Sequence, residues 1–371
     1  MSFGKKFNRM NYQNKEFWER SKESTDRKSL LYAQSVFRIL SEGRSVIMQP
    51  DAPFAFSPEV QSQSFMFRTS GTTGKPKQRL HSLTGLEHAC FRLRDFLKLN
   101  SPFLAISCLP IFHIGGWMQV MRSWTSGGSV IFMNYRDFES TKSSELFVNR
   151  YVSLVPTQLH VLLKSKIACE NLRLCGGIFL GGSYCNEEIA NNAREEGLPV
   201  FLCYGMTETA GMVCILNKED FARGVNGVGK VMPGVLLKLD QSKRICIKCE
   251  SLSGAENGVI NTSDGWFSTS DIGDCTKDGY WRISHRIDRV INTGGEKVIP
   301  DLVEKIILSF PGVSGCLVSW RVDQKWGQRV ISHICPKNVD IPELKKFLST
   351  RLQPFEIPKE FILSDSLPGK I

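Results

Sequence analysis

Between Phe65 and Met206 the chain alternates short apolar runs with amphipathic stretches. The runs SPFLAISCL, GSVIFM, YVSLVP, GGIFLGG and PVFLCYG have the character of buried strands. In TGLEHACFRLRDFLKL and NEEIANNAREE the apolar residues recur every three to four positions, which predicts helices. Strands alternating with helices imply α/β layers with substantial parallel pairing. Ahead of them a charged opening reads as helical, and a turn-rich stretch near Gln49–Pro58 leads into FMFRTSG. Beyond residue 215 the runs shorten. GVGKVMPGVLLKLD, KRICIKCE and GYWRIS, separated by Gly- and Asp-rich turns, predict a mostly antiparallel, β-rich subdomain. From Arg289 the order is hairpin (RVINTGGEKVIP), helix (PDLVEKIILSF), two strands (GCLVSWRV, QRVISHIC) and helix (IPELKKFLSTRL), a compact α+β unit.

Composition narrows the classes. The 371 residues carry 42% hydrophobic and 23% charged side chains, close to globular averages, so wholesale disorder is excluded. The formal charge of +10 favours an anionic partner without identifying it. Basic residues are spread over every segment and no nucleic-acid module appears, which argues against a nucleic-acid-binding protein. No apolar run reaches the length of a membrane span, and the polar N-terminus has no signal-type core. The 12 cysteines lack the paired spacing of a secreted scaffold, so a reducing cytoplasm is expected. The one C-x-x-C, Cys246 to Cys249, has no second pair and reads as part of a strand rather than as a metal site. No sequence feature sets an oligomeric state.

The stretch Thr69-Ser70-Gly71-Thr72-Thr73-Gly74-Lys75-Pro76-Lys77 concentrates hydroxyls, glycines and lysines after an apolar run. Glycines let backbone N–H groups approach phosphate oxygens, hydroxyls donate further bonds, and lysines supply charge. Its spacing is not that of a Walker A loop, and Pro76 disfavours an immediate helix. A polar strand-to-helix turn is the bland alternative. KPKQR also has the composition of a short basic patch.

The loop, Tyr204-Gly205-Met206-Thr207-Glu208 and the dispersed set Ser270-Asp271, GYW, Arg286-Ile287-Asp288 and Gly294-Gly295-Glu296 together resemble the adenylate-forming acyl-CoA ligases. That family also includes luciferases and peptide-synthetase adenylation domains. VPT at Val155–Thr157 and Trp326-Gly327-Gln328 extend the resemblance in the family's order from about residue 65 onward. It implies ATP, Mg²⁺ and coenzyme A as ligands. It also implies a fold with a large N-terminal body (1–285) of layered α/β subdomains plus the β-rich subdomain. A hinge (286–290) would follow, then a small mobile C-terminal α+β domain (291–371).

By the same resemblance Thr69–Lys77 would hold the β- and γ-phosphates, Thr207 the α-phosphate, and Glu208 the Mg²⁺. Tyr204 would stack on adenine, and Gly181-Gly182-Ser183 would line the adenine and acyl sites. Asp271 and Arg286 would bind the ribose hydroxyls; taken alone, each would be read as a surface charge. Asp288 would sit at the hinge, and Gly294 and Gly295 in the loop that admits the pantetheine arm. Lys370 would neutralise the transition state at the α-phosphate. The pattern departs from the family where Ser270 and His285 replace glycines. It departs again where Gly369-Lys370 directly follows Pro368, a shortened spacer expected to slow adenylation or to reflect a missing tail.

His113 in HIGGW matches the family's gate near the substrate carboxylate, although a histidine among apolar residues is ordinarily a core residue. Arg122, nine residues later, is the sole charge between Lys98 and Arg136. A lone charge in an apolar helix must reach water or meet an anion. An acid with a second carboxylate would satisfy it. That offset, with the short region before the loop, resembles the o-succinylbenzoate–CoA ligases of menaquinone and phylloquinone synthesis, whose substrate is an aromatic dicarboxylate. The alternatives are another aryl or fatty acid–CoA ligase, or a catalytically weakened homologue that only binds ligand.

Overall fold

Several helices form where an apolar stripe and a capping side chain coincide. In the Arg27–Ser41 helix Leu30, Ala33, Val36, Phe37 and Leu40 are buried, and Asp26 caps the first turn by accepting from Ser29 N at 3.0 Å. Ser82 caps Leu83–Phe96 and Asn186 caps Glu187–Glu195 in the same way. The computed structural model describes residues 17–18, 23–56, 63–69, 77–141, 144–255, 262–365 and 367.

The predicted apolar runs become the parallel core of a seven-stranded sheet. Val200–Met206, Gly177–Leu180, Tyr151–Leu154, Leu104–Ser107 and Ser129–Phe132 lie side by side in that order, all parallel. Gly211–Leu216 and Lys230–Val231 extend one edge antiparallel. Helices cover both faces, so these strands are mostly apolar rather than alternating. One face packs with the 27–41, 83–96 and Ile114–Thr125 helices, the other with helices from 156 to 195.

A second, mixed sheet joins Gly254–Ala255, Lys77–Ser82, Ser64–Thr69, Ser45–Met48 and Phe54–Phe56. It corrects two expectations. The stretch near Gln49–Pro58 is not only turns, because Phe54–Phe56 pairs antiparallel with Ser45–Met48. The motif Thr69–Lys77 is followed by a strand, not by the helix of the bland alternative: Lys77–Ser82 pairs antiparallel with Ser64–Thr69, and Thr69 stands opposite Lys77.

The β-rich region forms an antiparallel sheet of Val235–Leu239, Arg244–Cys249, Trp266–Cys275 and Trp281–Arg286, with Thr262–Ser263 beside it. A third core, centred on Ile291, Val303, Val318, Val330 and Leu344, unites the C-terminal hairpins and helices. Its sheet gains a strand that the sequence pattern did not announce. Glu360–Leu363 pairs parallel with Gly327–Cys335.

Candidate active site

The strand Val200–Met206 ends in a tight return. A 3₁₀ turn at Thr207–Thr209 leads to Ala210 and Gly211, at φ 55° and 98°, and the chain runs back antiparallel with Gly211 opposite Met206. The return brings backbones so close that a Cβ on Gly205 would lie 2.1 Å from the Gly211 carbonyl oxygen. Only glycine fits there.

The three turn residues are held from three directions. His81 Nε2 lies 2.6 Å from the Thr207 carbonyl oxygen, so that nitrogen donates. Arg79 Nε donates to Glu208 Oε1 at 2.9 Å. Arg79 and His81 share a face of the strand that leaves the candidate phosphate loop, since alternate residues point the same way. Ser251 Oγ donates to the Thr209 carbonyl at 2.8 Å, and Arg92 reaches both that carbonyl and the Ser251 hydroxyl. Ser253 N donates to the Glu208 carbonyl at 2.8 Å. Burial pushes the His81 imidazole down to about 4, against the bond to Thr207 and the nearby Glu208 charge, so it is neutral at pH 7.

None of the four supporting side chains, Arg79, His81, Arg92 and Ser251, was singled out from sequence as a site residue. Arg92 carried a signal, because it falls on the buried stripe of Leu86, Ala89, Cys90 and Leu93. Arg79 and His81 carried a weaker one in their i, i+2 spacing after the loop. Ser251 carried none. Arg79, read as part of a basic patch, is largely buried in its pair with Glu208.

Beside the turn, Tyr204, Asp271, Arg286 and Asp288 form a chain of contacts. Asp271 and Arg286 are register partners in adjacent strands. The Tyr204 hydroxyl donates to Asp271 Oδ2 at 2.7 Å, and Arg286 Nη1 donates to Oδ1 at 3.2 Å. The same guanidinium forks onto Asp288, with bonds of 3.0 and 2.7 Å. Burial raises the Asp271 carboxyl, and the Tyr204 bond and Arg286 charge only partly offset it. Burial and the Asp271 charge hold the Tyr204 phenol well above its usual value. Burial alone would raise Asp288, but the Arg286 pair keeps it below the ordinary carboxylate range. Asp271, read alone as a surface charge, is buried.

Arg122 is likewise buried, at 6% exposure. Its Nη1 donates to Gln119 Oε1 at 3.0 Å and its guanidinium lies 5.7 Å from the Phe179 ring centre. Its Nε has no hydrogen-bond partner among the described residues, where no acidic side chain pairs with it. Burial pulls its pKa down to about 10, so it stays charged near neutrality. A Cβ on Gly211 would sit 3.8 Å from Nη2, which places this cation beside the Tyr204–Gly211 return. His113 precedes the same helix at its N-cap position without a side-chain capping bond and is exposed, its ring 4.5 Å from that of Phe112. It is not the core histidine that its apolar neighbours suggested.

Gly181 backs onto Cys203, where a Cβ would meet the carbonyl oxygen at 2.9 Å, and Gly182 takes φ 83° before exposed Ser183. Gly294 and Gly295 form the 291–298 hairpin turn, fixed by Gly294 N donating to the Trp326 carbonyl at 2.9 Å. Lys77 opens its strand. Ser70, Gly71, Thr72, Thr73, Gly74, Lys75 and Lys370 lie outside the described residues.

Among the described residues no group of three or more His, Cys, Asp or Glu side chains is placed to hold a metal. Magnesium is commonly held by one or two carboxylates together with substrate phosphates, so Glu208 alone suits an ion that arrives with a nucleotide. The sulfurs of Cys246 and Cys249 each lie 3.4 Å from a serine hydroxyl, Ser268 and Ser251. No helix among the described residues is long and apolar enough to cross a membrane.

The profile of the AMP-binding enzymes matches residues 14–250. A 2-succinylbenzoate–CoA ligase of Bacillus subtilis (strain 168) is 28% identical over 329 residues, which cover 84% of this chain and 67% of that protein. Its Lactococcus lactis namesake is 30% identical over 321 residues, covering 82% and 69%. Among solved structures, o-succinylbenzoate CoA synthetase from Bacillus subtilis with its acyl-adenylate intermediate is similar at a TM-score of 0.69 and 27% identity, over 82% of this chain and 66% of that one. The same enzyme with ATP and magnesium ion gives 0.69 and 26%, over the same shares. The chain thus spans about two thirds of the length of the relatives it matches.

Proposed function

Because the chain belongs to the AMP-binding enzyme family, we propose that it is an ATP-dependent acid–CoA ligase acting through an acyl-adenylate. Its acid is o-succinylbenzoate and its product o-succinylbenzoyl-CoA, a step of menaquinone or phylloquinone synthesis in the cytoplasm. Residues 1–285 would form the nucleotide- and acid-binding body, 286–290 the hinge and 291–371 the mobile cap.

A carboxylate has no usable leaving group, and adenylation supplies one. A carboxylate oxygen of the acid attacks the α-phosphorus of ATP and pyrophosphate departs. The thiolate of coenzyme A then attacks the acyl carbonyl and AMP departs. Much of such catalysis is positioning and charge neutralisation. Thr69–Lys77 would hold the β- and γ-phosphates, Thr207 would contact the α-phosphate, and Lys370 would offset the charge developing there. Tyr204 would carry adenine with Gly181–Ser183, while Asp271 and Arg286 take the ribose hydroxyls. Glu208 would hold Mg²⁺, which supplies charge neutralisation on the phosphates when bound. His113 would lie at the mouth of the acid site, and Gly294 and Gly295 would leave room for the pantetheine arm.

Arg122 carries the choice of acid. It is a buried cation beside the Tyr204–Gly211 return, and its Nε–H has no partner among the described residues. Such a group is very costly unless an anion meets it, and the second carboxylate of o-succinylbenzoate has that charge.

The test is AMP and pyrophosphate release from ATP, Mg²⁺ and coenzyme A with a panel of acids. Preference for o-succinylbenzoate over benzoate and fatty acids supports the proposal. Equal use of monocarboxylates would reassign the acid, and turnover of none would reduce the chain to a ligand-binding homologue.

A further inference from the structure

Glu208 is the carboxylate proposed to meet the metal, yet its Oε1 already accepts from Arg79 Nε at 2.9 Å. The pair is largely withdrawn from solvent, with side chains 15% and 16% exposed, so screening by water and salt is reduced. Arg79 is not free to swing away with a flexible segment. It sits inside the Lys77–Ser82 strand, opposite Phe67 in the ladder. Two residues on, His81 binds the Thr207 carbonyl from the same strand face and fixes the turn against that strand. Among the described residues, the Arg79 guanidinium is the cation paired with Glu208.

A divalent ion binding the same carboxylate would meet a fixed positive charge a few ångströms away. An ATP molecule arriving without metal would instead meet a carboxylate already neutralised. We propose that Arg79 is a positioning residue: a built-in counter-ion of Glu208 that competes with the divalent cation there and supports nucleotide binding in its absence. The inference rests on the reading of Glu208 as the metal carboxylate and adds to it a residue that sets how strongly the site depends on metal. The reaction chemistry is otherwise unchanged.

The test uses the full chain and two ligands whose affinities should move in opposite directions. Arg79→Met keeps the length and apolar stem of the side chain and removes the charge; Arg79→Lys keeps the charge. Calorimetry with ATP in EDTA measures metal-free nucleotide binding, and Mn²⁺ titration of the ATP complex by electron paramagnetic resonance measures the metal. Removing the guanidinium should weaken metal-free ATP binding about tenfold and tighten Mn²⁺ about tenfold, with Arg79→Lys close to wild type in both. Loss of both affinities would mean that Arg79 only props up the turn and would overturn the inference, as would no change in either. Wild-type protein that binds no ATP with or without metal would overturn the ligase reading and this inference with it.

Discussion

The Tyr204 hydroxyl donates to Asp271 Oδ2 across 2.7 Å, joining the end of a strand in the parallel sheet to the middle of a strand in the antiparallel one. Two residues proposed for different parts of one nucleotide, its base and its ribose, are thus fixed relative to each other before any ligand arrives. Asp271 depends on that bond, because burial disfavours its charge. Tyr204→Phe leaves the ring and removes the donor. Chemical denaturation at pH 7 should show a loss of about 1–3 kcal/mol, and the KM for ATP should rise more than the KM for the acid. A stability unchanged within error would mean that water replaces the hydroxyl without cost.

His81 makes stability depend on pH. Its folded value near 4 lies below the ordinary 6.5, so the unfolded chain binds the proton more readily. The contribution is complete above pH 6.5 and is lost as pH falls towards 4. It amounts to roughly 3 kcal/mol at most, because a tenfold weaker hold on the proton corresponds to about 1.4 kcal/mol. Denaturant midpoints taken from pH 7.5 down to 4.5 should fall along this limb, and in His81→Gln the limb should flatten. An identical slope in the variant would assign the acid sensitivity to other groups.

Arg122→Leu should separate stability from function. Removing a buried cation that has no acidic partner among the described residues should leave stability unchanged or raise it by about 1 kcal/mol. The KM for o-succinylbenzoate should rise at least tenfold while that for ATP holds, a split that steady-state kinetics reads directly. Unchanged affinity for the acid would remove Arg122 from the acid site.

Gly205→Ala tests the close return of the chain. The added methyl meets the Gly211 carbonyl oxygen at 2.1 Å, and the three nearest atoms it would meet are all backbone. Thermal unfolding should show a destabilisation of about 3 kcal/mol or more. A variant as stable as wild type would mean that the two strands separate cheaply.

Lys370→Ala should depress pyrophosphate release far more than thioester formation from preformed adenylate. Equal losses in both half-reactions would deny the lysine a role specific to adenylation.

Sequence by itself determined the elements whose signal is local. The apolar runs such as GGIFLGG and PVFLCYG became the central parallel strands because burial on both faces leaves no polar positions to misread. The helices at Leu83–Phe96 and Glu187–Glu195 followed from apolar residues recurring every three to four positions. The motif order pointed to the family and to Tyr204, Asp271, Arg286 and Glu208. Tertiary structure alone decided which groups hold them. Arg79 reaches Glu208 across 129 positions of sequence and Arg92 reaches Ser251 across 159. Neither pairing has a period or a spacing, since each arises from two sheets and a helix closing on one turn. The short strand Glu360–Leu363 was hidden for a related reason, its pairing being parallel to a distant partner rather than closed by a turn. Local periodicity reports how a segment meets solvent; which buried charge meets which carbonyl is settled only when the layers pack.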